Sequence, residues 1–101
     1  MDPQAAGGWE LLLLHPDDDV AVALRDLDAG QARLRGGGAL VLTAPVPLGH
    51  KVARHAMRRG ETVRKYGAVI GEATTDIAAG EHVHVHNLRS LRARREAGRT
   101  P

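Results

Sequence analysis

The sequence predicts a small, mostly β domain built from short strands and frequent turns. Three observations carry that prediction. The chain has 101 residues, a length at which folding hides roughly 60–65% of the surface and supports a single core. Its apolar residues come in short runs bounded by Gly, Pro and Asp, the residues that punctuate strands. Third, segments 26–31 (Asp-Leu-Asp-Ala-Gly-Gln), 56–61 (Ala-Met-Arg-Arg-Gly-Glu) and 76–81 (Asp-Ile-Ala-Ala-Gly-Glu) form a degenerate repeat. Each has an apolar second position and a Gly, then Gln or Glu leading into β-prone sequence. A Gly at a fixed offset ahead of a strand marks a turn that needs positive φ, and three such turns favour short strands over a helical bundle.

The elements follow in order. Residues 1–8 form a flexible lead-in. Residues 9–14 are apolar and of strand length, a buried strand. His15-Pro16-Asp17-Asp18-Asp19 is a turn, because Pro fixes its φ and Asp side chains bond nearby amides. Residues 20–27 are a strand or a short helix; eight residues are too few for periodicity to separate the two. Residues 35–38 are a glycine loop, 39–43 a strand, and 44–49 a breaker-rich connection. Short strands follow at 62–65 and 68–70, around Tyr66-Gly67. The clearest strand pattern covers residues 82–88. Beyond it, residues 89–99 have moderate helix propensity but almost no apolar face. The domain therefore runs over 9–88, with 89–101 as an Arg-rich tail.

Composition excludes several function classes. Cysteine is absent, which removes disulfides, thiolate zinc sites and cysteine nucleophiles together. Trp9 and Tyr66 are the only aromatics besides histidine, too few for a base-stacking RNA platform. The net charge of +2 is uneven: residues 89–101 hold five arginines and one glutamate, a local +4, so the remainder is −2. With the excess confined to the tail, a nucleic-acid surface is not expected. The longest uninterrupted apolar runs are far shorter than the roughly 20 residues that span a bilayer, and the N-terminus lacks the basic start of a secretory signal. A cytoplasmic protein without a membrane partner is expected. There is no phosphate loop, no dinucleotide fingerprint and no nucleophile elbow; Ser90 is the sole serine.

The residues with chemical capacity are histidines. In Glu81-His82-Val83-His84-Val85-His86-Asn87, a strand would place His82, His84 and His86 on one face and the valines on the other. Imidazoles arranged so can converge on a divalent ion or a substrate oxyanion, with further ligands from elsewhere; the plain reading is a solvent-facing strand. His15 stands beside three aspartates, and a carboxylate neighbour can orient a histidine for acid–base work, although a polar turn needs no such role. Gly49-His50-Lys51 sets an imidazole beside an ammonium, a pair suited to a carboxylate.

Taken together, these segments resemble the SAF-type N-terminal domain of the altronate/galactarate dehydratase family, over about residues 11–88. His15 with Asp18, Asp19 and Val20-Ala21-Val22-Ala23-Leu24 resembles the family's opening block. Gly49-His50-Lys51-Val52-Ala53 resembles the second, and Gly60-Glu61 with Val63-Arg64-Lys65-Tyr66-Gly67 and Ile70-Gly71 the third. Asp76-Ile77, Gly80-Glu81 and His82-Val83-His84-Val85-His86-Asn87 resemble the last. Asp19 departs from the Asn usual there and adds a negative charge beside His15; Ala56 and Arg54 also depart.

The resemblance implies a β-clip fold and a subunit of a hydroxy-acid lyase, most simply an altronate-type dehydratase. The chemistry implied is β-elimination: a base takes the proton α to a carboxylate, a divalent cation (Fe²⁺ or Mn²⁺) holds the developing charge, and an acid assists the leaving hydroxide. It assigns His15 and His50 to catalysis, Lys51 and Asp18 to substrate, and His84 and His86 to metal. It also implies a separate large catalytic subunit, because a domain this small hardly builds a water-poor cleft alone, and a sugar-acid substrate. A small subunit of the sulfolactate sulfo-lyase type, with a sulfonated hydroxy acid, and a non-enzymatic sugar-acid-binding module are the rival readings.

Overall fold

The computed structural model describes residues 9–35 and 37–91. Expectations for residues 1–8 and 92–101 lie outside them. The described chain is nearly all strand: β1 (Leu11–Leu12), β2 (Val20–Ala23), β3 (Gly30–Arg35), β4 (Ala39–Leu42), β5 (Lys51–Ala53), β6 (Thr62–Lys65), β7 (Ala68–Ala73), β8 (His82–Val83) and β9 (Leu88–Ser90). One sheet has the order β4-β3-β1-β2-β5-β8 and the other β6-β7-β9. All pairings are antiparallel except β1 with β3. The mostly β expectation holds, and residues 20–27, left between strand and helix by the sequence, begin with strand β2 and continue into a turn.

The repeat seen in the sequence is a structural unit, and it occurs four times rather than three. A buried residue, a second apolar residue four positions on and a glycine seven positions on recur as Ala23/Leu27/Gly30, Leu42/Val46/Gly49, Ala53/Met57/Gly60 and Ala73/Ile77/Gly80. The middle residues pair: Leu27 with Val46 and Met57 with Ile77, each through two reciprocal N–H···O bonds of 2.8 Å. The copy at Val46 is hidden in the sequence because prolines flank it on both sides. Its turn nevertheless closes like the others, with Gly49 at φ 81° and its N–H on Ala23 O at 2.8 Å. At Gly80 the requirement is double: φ is 84° and any Cβ would strike the carbonyl of Val41.

The molecule is thus two copies of one frame, residues 20–50 and 51–83. Each runs strand, turn, hairpin, turn, and two apolar clusters follow them with one exchange, Val52 packing into the first and Val20 into the second. Leu11, Leu27, Leu34, Leu42 and Val46 are central to the first, and Met57, Val63, Ile77 and Val83 to the second. The halves are joined where β5 pairs with β2, and within the second half β5 also pairs with β8 on its other side.

Three expectations on element bounds are corrected. The strand expected over 9–14 is only Leu11–Leu12, since Glu10 is drawn to Arg25 and the Arg33 amide. Residues 82–88 are not one strand: β8 ends at Val83, a turn follows, and β9 begins at Leu88. Arg89 and Ser90, grouped with the tail by composition, pair with Glu72 and Gly71 of β7 and belong to the domain.

Candidate functional site

The turn after β8 is built by Asn87, which is fully buried. Its Oδ1 accepts the His84 N–H at 2.9 Å, and its Nδ2 donates to His82 O at 2.9 Å and to Glu81 Oε2 at 3.3 Å. A side-chain amide that satisfies local backbone groups competes with the strand ladder, which is why the chain reverses here. The alternating pattern His-Val-His-Val-His carries no sign of this, because the deciding residue is the Asn that follows it.

The turn tightens the histidines rather than scattering them. The β5–β8 register pairs Lys51 with Val83; continued by one residue, it sets His50 across from His84. His50 and His84 stack with ring centroids 4.5 Å apart, His82 and His84 at 5.4 Å, and His50 and His82 at 5.0 Å. His50 Nδ1 and His82 Nε2 are 2.8 Å apart and share one hydrogen, donated by one ring to the other's lone pair. One ring nitrogen from each of His50, His82 and His84 lies within 4.8 Å of the other two.

Two of these rings, His82 and His84, are shifted toward the neutral form. Partial burial, then the neighbouring rings of His50, His84 and His86 and the Lys51 ammonium, push His82 below the ordinary histidine range. His84 is lowered by desolvation first, then by His50, Lys51 and His86. Lys51 is itself lowered, chiefly by burial and then by Lys65. It has no carboxylate partner among the described residues, so the site holds an uncompensated, half-buried cation.

The donor set fits a transition-metal ion. Zn–N bonds of about 2.0–2.1 Å in tetrahedral geometry need nitrogens roughly 3.3 Å apart, and the trio offers nitrogens within 4.8 Å of one another, one pair at 2.8 Å. Binding would replace the hydrogen shared by His50 and His82. Neutral imidazole without thiolate suits Fe, Zn, Ni or Cu.

The residues singled out in the sequence divide into three groups. His50, Lys51 and His84 come together as described. His86 is exposed, its ring 5.6 Å from that of His82 but outside the close trio. His82, which the sequence placed in the motif without a role of its own, stands at the centre. His15 and Asp18 form a separate feature at the β6–β7 turn. Asp18 is 1% exposed, and its two oxygens accept the N–H groups of Tyr66 (2.9 Å) and Gly67 (2.7 Å). The carboxylate expected to meet substrate is thus occupied by backbone. It holds Tyr66 at φ 59°, a conformation rare outside glycine. His15 accepts the Asp17 N–H at Nδ1 (3.0 Å), and its ring lies against Gly67, where an added Cβ would sit 3.1 Å away. Asp19 does not turn to His15: it bonds His55 Nε2 at 2.9 Å and the Arg64 N–H at 2.7 Å. Nothing local in the sequence marks His55 as that partner; the fold brings it there.

The chain is thus a small β domain with histidines gathered at a strand junction, and comparison with known proteins gives its family. Residues 9–91 match the model of the altronate/galactarate dehydratase SAF domain, and the chain belongs to that family. It is 36% identical over 77 residues to altronate dehydratase of Bacillus subtilis and 43% identical over 81 residues to that of Escherichia coli. These stretches cover 76% and 80% of this chain but only 16% of either relative. It is also 45% identical over 53 residues to (2R)-sulfolactate sulfo-lyase subunit alpha of Paracoccus pantotrophus, covering 52% of this chain and 79% of that subunit. Among the described residues no helix is long and apolar enough to cross a membrane.

Proposed function

We propose that this domain supplies His50, His82, His84 and Lys51 to the site of a hydroxy-acid lyase, of altronate dehydratase type, completed by a larger catalytic region or subunit. The observation that carries the reading is the meeting of three imidazoles beside an ammonium that has no carboxylate partner among the described residues. A carboxylate substrate supplies the missing negative charge, and Lys51 is the group that binds it. Elimination then requires a proton to leave the carbon next to that carboxylate and one to reach the departing oxygen. With a cation held by the trio the hydrogen shared by His50 and His82 is displaced, so the proton steps fall to groups outside that pair. His15, with Nδ1 occupied by the Asp17 amide, keeps Nε2 for an acid–base role if the larger region reaches the β6–β7 turn. A divalent cation, Fe²⁺ or Mn²⁺, would be held by His50, His82 and His84, and would supply stabilisation of negative charge on the substrate.

The kinship with altronate dehydratases supports this substrate class, and the 16% share of those relatives that the domain matches supports a completing region, on this chain or another. A second reading, a component of a sulfo-lyase acting on a sulfonated hydroxy acid, is favoured by the match over most of the Paracoccus alpha subunit. The test is reconstitution. The chain is mixed with a polypeptide resembling the remainder of an altronate dehydratase, with Fe²⁺ or Mn²⁺ and candidate acids, and keto-acid product is followed. Product that needs both polypeptides, and that falls about 100-fold or more in His82→Ala, is the expected result. Full turnover with His82→Ala and Lys51→Gln would overturn the reading.

A further inference from the structure

The β6–β7 hairpin closes through two residues, Tyr66 and Gly67, with Lys65 paired to Ala68 across the turn. φ is 59° at Tyr66 and 73° at Gly67, and positive φ at both central residues marks a type I′ turn. That turn favours Asn, Asp or Gly at its first central position, where the left-handed backbone is least costly. A tyrosine stands there instead, and the rest of the domain holds it in place. Asp18 accepts both turn amides, Arg64 Nη1 donates to Gly67 O at 3.0 Å, and the His15 ring backs Gly67. The phenol itself is left outside: it is 71% exposed, and its hydroxyl makes no hydrogen bond among the described residues. A strained backbone, clamped rigid beneath an exposed aromatic ring, belongs to a contact surface, where tyrosine is a frequent anchor.

The residue beside it points to the occupant. Lys65 is half-buried and takes part in no ion pair among the described residues. Lys51 is lowered by burial first and then by the charge of Lys65, so the two ammonium groups lie near each other, one at the histidine trio and one at the hairpin tip. Neither has a carboxylate, and like charges left together call for an anionic counterpart. The substrate serves Lys51 in the proposed function. Lys65 is left for a carboxylate of the polypeptide that completes the site, and that polypeptide, closing over Lys51, comes within reach of Tyr66.

We infer that the β6–β7 tip is the docking face for the completing region of the lyase, with Tyr66 seated in an apolar pocket of that region and Lys65 against one of its carboxylates. The inference rests on the proposed function for the existence of such a region and goes beyond it in assigning the face that binds it. The same contact brings that region to the turn where His15 keeps Nε2.

Association of the full chain with a polypeptide resembling the remainder of an altronate dehydratase, followed by calorimetry, tests it. Tyr66→Asn suits the turn, so the chain alone is expected to melt about 4 °C or more higher, yet to bind the larger polypeptide about 30-fold more weakly. Lys65→Gln is expected to weaken binding about two- to fivefold at low salt, and by less as salt rises. No association of the natural sequence, or undiminished binding by Tyr66→Asn, would overturn the inference. So would a lower melting point for Tyr66→Asn, which would make the ring part of the domain's own packing. Self-association of the chain that disappears in Tyr66→Asn would put a second copy on this face and overturn it too. Keto-acid product is followed in the same mixtures. If association depends on Tyr66 but no product forms, the proposed function has failed and the docking face stands; if product forms with natural affinity in Tyr66→Asn, the reverse holds.

Discussion

The two halves of this domain share a frame and differ in what they do with it. Residues 20–50 and 51–83 each place an apolar residue four positions and a glycine seven positions after a buried strand residue, twice over. In the first half that frame carries core and surface up to its last residue, His50. In the second, the strand following its last turn is β8, which pairs with β5, and His82 and the adjoining His84 meet His50 where the two halves join. A duplicated scaffold thus fixes two strands against each other, and chemistry arises where they adjoin. The frame determines position; a few substitutions on it determine function.

The sharpest way to break this comparison is to alter equivalent glycines. Gly49 and Gly80 end corresponding turns, but only at Gly80 would a Cβ strike backbone, the Val41 carbonyl. Gly80→Ala is expected to cost about 2–5 kcal/mol, left-handed strain plus overpacking, and Gly49→Ala about 1–2 kcal/mol from strain alone. Thermal melts separate the two, since about 1 kcal/mol moves the midpoint by roughly 4–8 °C at this size. Equal losses would mean the halves do not touch at that point.

Next come the paired core residues. Leu27→Ala and Met57→Ala should each cost about 2–5 kcal/mol, because both side chains are buried in their own clusters. Met57 shares its cluster with Val83, the neighbour of His82 and His84, so only Met57→Ala should move the ring resonances of those histidines. A smaller loss, about 1–3 kcal/mol, is expected for Asp18→Asn, which replaces a charged acceptor of two amides by a neutral one. Its signature is loss of hydrogen-exchange protection at Tyr66 and Gly67, with the His50–His82–His84 resonances unchanged.

The smallest effect is on pH dependence. His82 and His84 are lowered in the folded state, so below the unfolded value of about 6.5 the unfolded chain takes up more protons. Stability should therefore fall as pH drops from about 6.5 through the folded-state values, and be insensitive to these groups above it. Urea midpoints across that range check this, and His82→Gln should flatten the slope.

Much of the frame was legible in residues: three of the four repeat turns, the strands around Tyr66-Gly67, and the family blocks that carry His50, Lys51 and His84. The fourth turn was hidden because Pro45 and Pro47 read as breakers, although Val46 pairs through its own N–H and C=O between them. The site was legible as a set of histidines but not as a geometry. Alternation suggested three imidazoles in a row on one strand; the buried Asn87 reverses the chain after His84, and the trio is completed across the sheet by His50. Asp18 shows the opposite error. A carboxylate beside a histidine suggests chemistry, but burial turns it to two backbone amides, a condition only tertiary structure reveals.

The central claim, that His50, His82 and His84 act as one unit at the seam between the halves, is tested most directly by titrating the full chain with Zn²⁺ while observing the histidine ring nitrogens by NMR. The account predicts that these three rings shift together, saturate at one equivalent, and do so without movement of His15 or His55. Shifts confined to His86 or His15, or no saturable change at any of the trio, would contradict it.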